Sequence, residues 1–398
     1  MMYRQRRLEL LQRVQECYPN VTGNIVIAAN YENPRDTLWQ DSTFWYFTGL
    51  NEPGAVVVIS SAGTQTLYLP EYGEDRTVWM QCEGGMAQCG FDEIKPLGNK
   101  MRGYQPTMWF TAEEHAHIIA ALKGDHIFTC VPSYLNNKYI AQRWVLERWS
   151  LFVPDLFQRC HDISPCVASM RRCKSSYEIE LIQRAVNITL EAQRSVAQAL
   201  CGGILESELH ALVIYTFIKH DARAAFPPII AGGHRATILH YHANNQPISA
   251  NELVVVDIGA SVEGYAADIT RTFAINNTFT DRQRYLYDIV HEAQTSVFQH
   301  ARPGMWLCNA AEPDRSLHHQ AIAVFKRYGL ERYFVHSIGH FLGLDVHDVG
   351  NVQEPLRAGD VITIEPGLYL REEGIGIRQE DDYLVTDQGA LCLSGEQQ

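Results

Sequence analysis

Three histidines fall within one short stretch, His336-Ser337-Ile338-Gly339-His340-Phe341-Leu342-Gly343-Leu344-Asp345-Val346-His347-Asp348, and three further segments carry the carboxylates they need as partners. Those segments are Asp257-Ile258-Gly259 with Ala267-Asp268-Ile269-Thr270, then Ile364-Glu365-Pro366-Gly367, then Ile377-Arg378-Gln379-Glu380-Asp381. One imidazole and four carboxylates, drawn from separate strands and loops, can hold two metal ions a few ångströms apart. Such a pair lowers the pKa of a bridging water and clamps a substrate carbonyl. The chemistry expected is hydrolysis at a dinuclear metal centre.

The elements that must position these groups are legible around them. Val262-Glu263-Gly264-Tyr265 reads as a hairpin connection between Asp257 and Asp268, so two antiparallel strands can turn both carboxylates to one face. A hairpin with solvated acids is the bland alternative. It fares poorly because Asp257 ends the apolar run Leu253 to Val256, where an unpaired acid is costly to bury. Glu365 closes a similar run, Val361-Ile362-Thr363-Ile364, and the same cost applies. In the last segment, alternation puts Arg378 and Glu380 on one face, with a buried Arg–Glu pair as the bland reading.

Four carboxylates to one imidazole favour a hard divalent ion, Mn²⁺ first, with Co²⁺, Zn²⁺ or Fe²⁺ as alternatives. No cysteine joins the set, which argues against a structural zinc site. Most of the sixteen histidines are expected to be bland, with His115, His117, His318 and His319 on the surface. Taken alone, His240 reads as an exposed loop residue. It gains a role only if the fold brings its loop to the metals beside His336 and His347.

A chain of 398 residues is too long for one ordinary core, so two domains are expected, with the boundary near residue 164. Residues 1–164 alternate strand-like runs (24–29, 55–60, 66–69 and 126–130) with helical stretches, which predicts an α/β domain. Residues 165–398 predict an α+β domain. Ser175 with Glu178 makes a capping box, opening a helix with Ile179, Ile182, Val186 and Leu190 on one face. Gly202-Gly203 stops it. A second helix is expected over 206–220, and a third from Thr280 to just before Arg302-Pro303-Gly304. Strands are expected at 254–257, 268–273, 361–364 and 376–378.

A formal net charge of −13 argues against nucleic acid or an anionic membrane as the main partner. It suits divalent cations and the ammonium group of a peptide N-terminus. No apolar run approaches the ~20 residues of a membrane span. The basic start, Met1 to Arg7, leads into an amphipathic stretch interrupted by Glu9, Gln12 and Arg13, expected to be a first helix and not a leader. Ten scattered cysteines without C-x-x-C spacing are expected to be reduced, mostly buried thiols of a cytoplasmic protein.

The ordered set D-I-G, D-I-T-R-T-F, H-S-I-G-H-F-L-G-L-D-V-H-D, E-P-G-L-Y and G-I-G-I-R-Q-E-D-D resembles the aminopeptidase P/prolidase family, with its pita-bread catalytic fold, over about residues 165–390. Asp41-Ser42-Thr43-Phe44-Trp45-Tyr46-Phe47-Thr48-Gly49-Leu50-Asn51-Glu52-Pro53-Gly54 resembles that family's N-terminal domain. The resemblance implies that Asp257, Asp268, His340, Glu365 and Glu380 are metal ligands, with Asp268 and Glu380 bridging both ions. It implies hydroxide attack on the carbonyl before a proline, with Glu365 shuttling the proton and His240 and His347 steadying the intermediate. His336, Tyr369 and Arg378 would line the pocket. A homo-oligomer, dimer or tetramer, is implied by family alone.

Two departures leave the preferred peptide length open. Only Leu370-Arg371-Glu372-Glu373 separates Tyr369 from Gly374, nearer to prolidases, and Phe226 stands where many relatives have a tyrosine. An Xaa-Pro aminopeptidase is the leading expectation. The alternatives are a dipeptide-restricted prolidase, a non-catalytic pita-bread binding protein and a metal-free creatine hydrolase.

Overall fold

Short apolar runs early in the chain supply the inner strands of one six-stranded sheet. In the computed structural model, the described residues are 2–31, 39–72, 90–101, 112, 113, 115–132 and 137–395. They divide into two compact units, Met1–Met170 and Arg171–Gln398. In the first, strands β1 (Gly23–Ala28), β2 (Val56–Ile59), β3 (Gln65–Tyr72), β4 (Glu93–Met101), β5 (His126–Thr129) and β6 (Cys160–Asp162) line up as β4-β3-β2-β1-β5-β6. The sheet is mixed: β1 pairs antiparallel with β2 and parallel with β5. Every residue of β2 is buried, so its sequence is continuously apolar where a half-exposed strand would alternate.

Among the described residues, five helices accompany this sheet: α1 (Met2–Cys17), α2 (Ser42–Thr48), α3 (Ala116–Leu122), α4 (Ile140–Ser150) and α5 (Ser164–Arg172). Helix α2 starts where Asp41 accepts the Phe44 amide at 2.8 Å and ends at left-handed Gly49. The surface expectation for His115 is overturned. It is 3% exposed, and its Nδ1 accepts a hydrogen bond from Trp149 Nε1 at 3.1 Å. Burial pulls its pKa down to about 3, so the ring is neutral. His117 is exposed, as expected, whereas His318 and His319 are half-buried.

The second unit is built on helices α6 (Ser176–Ala199), α7 (Glu206–Lys219), α8 (Asp281–His300) and α9 (Leu317–Arg327). Both expected capping boxes form, Ser175 with Glu178 and Thr280 with Gln283. The buried face of α6 is rotated from the expected one: Ile182 and Val186 are buried, but Ile179 and Leu190 only half so. Polar residues explain the offset. Gln193 on the buried face donates to the carbonyls of Val256 and Ile269 at 3.0 and 2.9 Å, and Thr189 accepts the Ala260 amide at 2.9 Å. A helix that satisfies strand-end backbone needs such residues facing inward, and hydropathy cannot reveal them.

Eleven strands follow: β7 (Arg223–Ala224), β8 (Ile229–Gly232), β9 (Leu253–Ile258), β10 (Ala260–Val262), β11 (Tyr265–Ala266), β12 (Ile269–Ala274), β13 (Val361–Ile364), β14 (Gly367–Leu370), β15 (Ile375–Arg378), β16 (Asp381–Thr386) and β17 (Gly389–Cys392). They form small antiparallel sheets in the orders β12-β9-β8, β11-β10-β7, β13-β16-β17 and β14-β15. Glu263 and Gly264, both at positive φ, make the tight turn between β10 and β11.

Two glycines bring the site-bearing segments together. A Cβ on Gly259 would sit 1.9 Å from the Ala267 carbonyl oxygen, and one on Gly339 would sit 2.0 Å from that of Thr363. Only glycine allows those backbones to approach so closely, which draws Asp257 toward Asp268 and the His340 loop toward β13.

The cysteine expectation fails in part. The eight described cysteines are free, but only Cys130 and Cys166 are buried, while Cys17, Cys173 and Cys201 are exposed. Cys82 and Cys89 lie outside the described residues. Among the described residues, no helix is long and apolar enough to cross a membrane.

Candidate metal centre

The carboxylates reach one place from different elements. Asp257 lies near the end of β9 and Asp268 just before β12, whose antiparallel register sets Thr270 opposite Asp257. Glu365 follows β13, and Glu380 lies between β15 and β16. His340 comes from a loop pinned to β13: its amide donates to Thr363 Oγ1 at 3.1 Å, and the Thr363 amide donates to its carbonyl at 2.9 Å.

Ligand atoms of Asp268, His340 and Glu380 lie within 4.8 Å of one another. His340 Nε2 stands 3.4 Å from Asp268 Oδ2 and 3.7 Å from Glu365 Oε1. Its Nδ1 faces the Phe341 carbonyl at 3.1 Å, which fixes the proton there and leaves Nε2 a bare lone pair. In that tautomer Nε2 can ligate a cation shared with the carboxylate oxygens.

The carboxylates repeat that message. Burial first, then the charges of Asp257, Asp382 and Glu365, push Asp268 well above the usual carboxylate range. Glu380 rises the same way, through burial and then Asp268, Glu365 and Asp257. Glu365 is raised by burial as well, although His340 and Arg378 pull against it. Asp257 Oδ1 and Asp268 Oδ1 are buried without a hydrogen-bond donor among the described residues. Orphaned buried oxygens are costly, and divalent cations would satisfy them.

Beside the carboxylates runs a relay of side chains. Arg378 Nη1 donates to the Tyr369 hydroxyl at 2.8 Å, and that hydroxyl lies 2.9 Å from His336 Nε2. His336 Nδ1 is 2.7 Å from the Ser337 carbonyl, so its proton sits on Nδ1 and Nε2 accepts from Tyr369. Burial and then Arg378 hold His336 down at about 4, a neutral ring. Tyr369 is pushed up to about 12 by burial, and stays a phenol.

The remaining expected residues distribute unevenly. The His347 ring lies 4.4 Å from that of His340, nearly perpendicular. His240 is an exposed loop residue, as its sequence alone suggested, yet it lies near enough to be the smallest of the influences that lower the His336 pKa. Arg378 pairs with Asp257 at 2.5 Å, a partner that strand alternation with Glu380 did not foresee. Glu380 Oε2 instead accepts from Thr270 Oγ1 at 2.6 Å, and Thr270 accepts from Arg378 Nε at 3.1 Å. Thr270, Thr363 and Asp382 were missed. All three are fully buried, and Asp382 takes the Asp268 amide at 3.1 Å. The available signal was polar residues set inside apolar strands. Phe226 packs beside Gly259, to judge by the 2.7 Å from its ring to a Cβ built there.

Comparison with known proteins decides the class. Residues 180–387 match the metallopeptidase family M24 model, and residues 3–107 match the N-terminal domain of aminopeptidase P. The chain belongs to metallopeptidase family M24. Among its relatives is an Xaa-Pro aminopeptidase of Haemophilus influenzae, 29% identical over 384 residues that span 89% of this chain and 85% of the relative. An Xaa-Pro dipeptidase of Pyrococcus furiosus is 37% identical over 243 residues, but these span only 60% of this chain and 66% of the relative. Proline aminopeptidase P II from Yersinia pestis superposes with a TM-score of 0.82 at 26% identity, covering 99% of this chain and 95% of the other. This M24 chain thus has the pita-bread fold behind an aminopeptidase P-type N-terminal domain. Its donor set fits divalent metal.

Proposed function

We propose that this M24 chain is a metal-dependent Xaa-Pro aminopeptidase, releasing the first residue of peptides whose second residue is proline. One observation carries the reading above all: Asp268, His340 and Glu380 converge within 4.8 Å, in a chain that aligns with Xaa-Pro aminopeptidases over most of its length. The prolidase alternative has weaker support, because that likeness leaves 40% of the chain unmatched, its aligned part being 60%.

Asp257, Asp268, His340, Glu365 and Glu380 would hold two divalent cations, with Mn²⁺ favoured by the oxygen-rich set. When bound, such ions supply Lewis acidity, easing deprotonation of water and polarising a carbonyl. Everything else falls to the protein. Glu365, its proton affinity raised by burial, takes the proton of the attacking water and passes it to the proline nitrogen. His240 and His347 steady the substrate and its developing negative charge. Neutral His336, fixed through Tyr369 and Arg378, shapes the pocket wall. An Xaa-Pro amide has no N–H to grip, so ring shape and imidazoles must carry recognition.

The test is to incubate the Mn²⁺-loaded protein with Gly-Pro and with a longer Gly-Pro-Xaa peptide, reading free glycine from each. Release from the longer peptide is expected. Cleavage of the dipeptide with none of the longer peptide would replace the proposal by a prolidase.

A further inference from the structure

The loop that presents His347 has neither helix nor strand between His336 and Asp348, apart from a single bridge residue at Phe341. Its first half is tied by backbone bonds to β13 and Glu365, whereas the stretch around His347 has fewer: the Asp348 amide donates to the Phe341 carbonyl at 2.9 Å, and the Gly343 amide to that of Asp345 at 3.2 Å. Two carboxylates flank the imidazole, and both are gripped from the end of α5 and the residues after it. Arg171 Nη2 donates to Asp348 Oδ1 at 2.5 Å and to Asp345 Oδ2 at 2.7 Å. Lys174 Nζ donates to Asp348 Oδ2 at 3.1 Å and to the Arg172 carbonyl at 3.1 Å.

This cluster is sealed except at Asp345, whose side chain is 27% exposed. The side chains of Arg171, Lys174 and Asp348 are 2%, 1% and 1% exposed. The loop closes on it so tightly that a Cβ on Gly343 would stand 2.1 Å from Asp348 Oδ2. The Gly343 carbonyl in turn accepts the Ala266 amide at 2.8 Å, two residues before Asp268. Two cations against two carboxylates balance in charge. As stability devices, such buried clusters commonly do no better than apolar side chains of the same volume, because desolvation offsets the attraction. What they do supply is direction: the rigid Arg171 fork ties Asp345 to Asp348, and Lys174, held by the Arg172 carbonyl, adds a fixed charge to Asp348, so both bear on the residues beside His347.

We infer that Arg171 and Lys174 are positioning residues for His347, binding Asp345 and Asp348 so that the imidazole is held at its place beside His340. This rests on the proposed role of His347 at the substrate. Neither cation touches substrate; each acts through the loop. A ring displaced by about 1 Å is enough to cost on the order of 100-fold in rate.

The test is a double-mutant cycle built on charge-balanced variants, since Asp348→Asn alone strands a buried cation and risks unfolding. Lys174→Met with Asp348→Asn removes one cation and one anion together. The pair is compared with the native chain, and again in a His347→Ala background, using whichever Xaa-Pro peptide the native enzyme cleaves. The expected result is a roughly 10- to 100-fold fall in kcat with KM little changed, at native Mn²⁺ content and near-native Tm. In the His347→Ala background the same pair should change kcat less than about twofold, because its route of action is gone. An equal fall in both backgrounds, or no fall in the native one, overturns the inference. A crystal structure of the paired variant gives a second, activity-free readout. The His340–His347 ring separation should depart from 4.4 Å, and an unmoved ring would overturn the inference too. If the native protein cleaves no Xaa-Pro peptide, the activity proposal fails while the ring position still decides this one.

Discussion

Arg378 meets Asp257 at 2.5 Å inside a cluster rich in carboxylates and imidazoles, and both side chains are nearly buried. Burial works against the arginine charge, but Tyr369, Asp257, Glu380 and Glu365 outweigh it and raise its pKa further. Breaking such a pair from one side leaves a buried charge uncompensated, at a cost of about 3–5 kcal/mol. Arg378→Met should therefore lower the melting temperature of the metal-free protein sharply. Added Mn²⁺ should recover part of the loss, because it restores positive charge beside Asp257. Thermal melts with and without chelator check this, and equal losses in both would contradict it.

Thr270 joins two charged neighbours, donating a hydrogen bond to Glu380 and accepting one from Arg378. Thr270→Val keeps the shape and removes both bonds. Groups that orient a metal ligand typically contribute about 10- to 100-fold to metal affinity. A fall of that size is expected in competition with a chelating dye, with the fold retained. Native affinity in the variant would remove Thr270 from the account.

Gly339→Ala should separate the His340 loop from β13, since its Cβ would meet the Thr363 carbonyl at 2.0 Å. Mn²⁺ retention after dialysis should drop along with stability. Gly329→Ala is the control: its φ of 66° makes any side chain strained, but no atom lies within 4 Å. That variant should lose only about 1 kcal/mol and keep its metal. Equal metal loss in both would show that the close approach at Gly339 is unimportant.

His115 sets a pH dependence of the first unit, away from the metal ligands in sequence. Its folded pKa of about 3 lies below the ordinary 6.5, so between those values the unfolded chain binds a proton that the folded chain does not. Stability from this group is complete above about pH 6.5 and drains away as pH falls toward 3, at up to ~1.4 kcal/mol per pH unit. Denaturant unfolding of His115→Gln across pH 4–7 should show a slope shallower by up to one proton. An unchanged slope would mean that the ring is already charged when folded.

The sequence made the strands and capped helices legible because their signals are local: unbroken apolar runs for β2 and β9, and Ser175 or Thr280 three residues before Glu178 or Gln283. Asp257 and Glu365 stood out because each ends such a run. What stayed hidden was set by tertiary packing. His115 sits in a polar stretch and looked like a surface residue, yet its ring pairs with buried Trp149. The inward face of α6 includes Glu178, Thr189 and Gln193, which no hydropathy pattern selects. Thr270 and Asp382 act on residues more than a hundred positions away, and a single sequence does not record such pairings. The Arg378–Asp257 pair belongs with these, because strand alternation fixes a face and not a partner.

The most direct measurement is metal content. Native protein and Asp268→Ala, loaded with Mn²⁺ and dialysed against metal-free buffer, are analysed for bound ion per chain. About two ions are expected in the native protein, and little or none in the variant, because Asp268 is taken to serve both positions. A native protein that keeps no Mn²⁺, or an Asp268→Ala variant that keeps as much as the native, would contradict the assignment of these side chains to a metal centre.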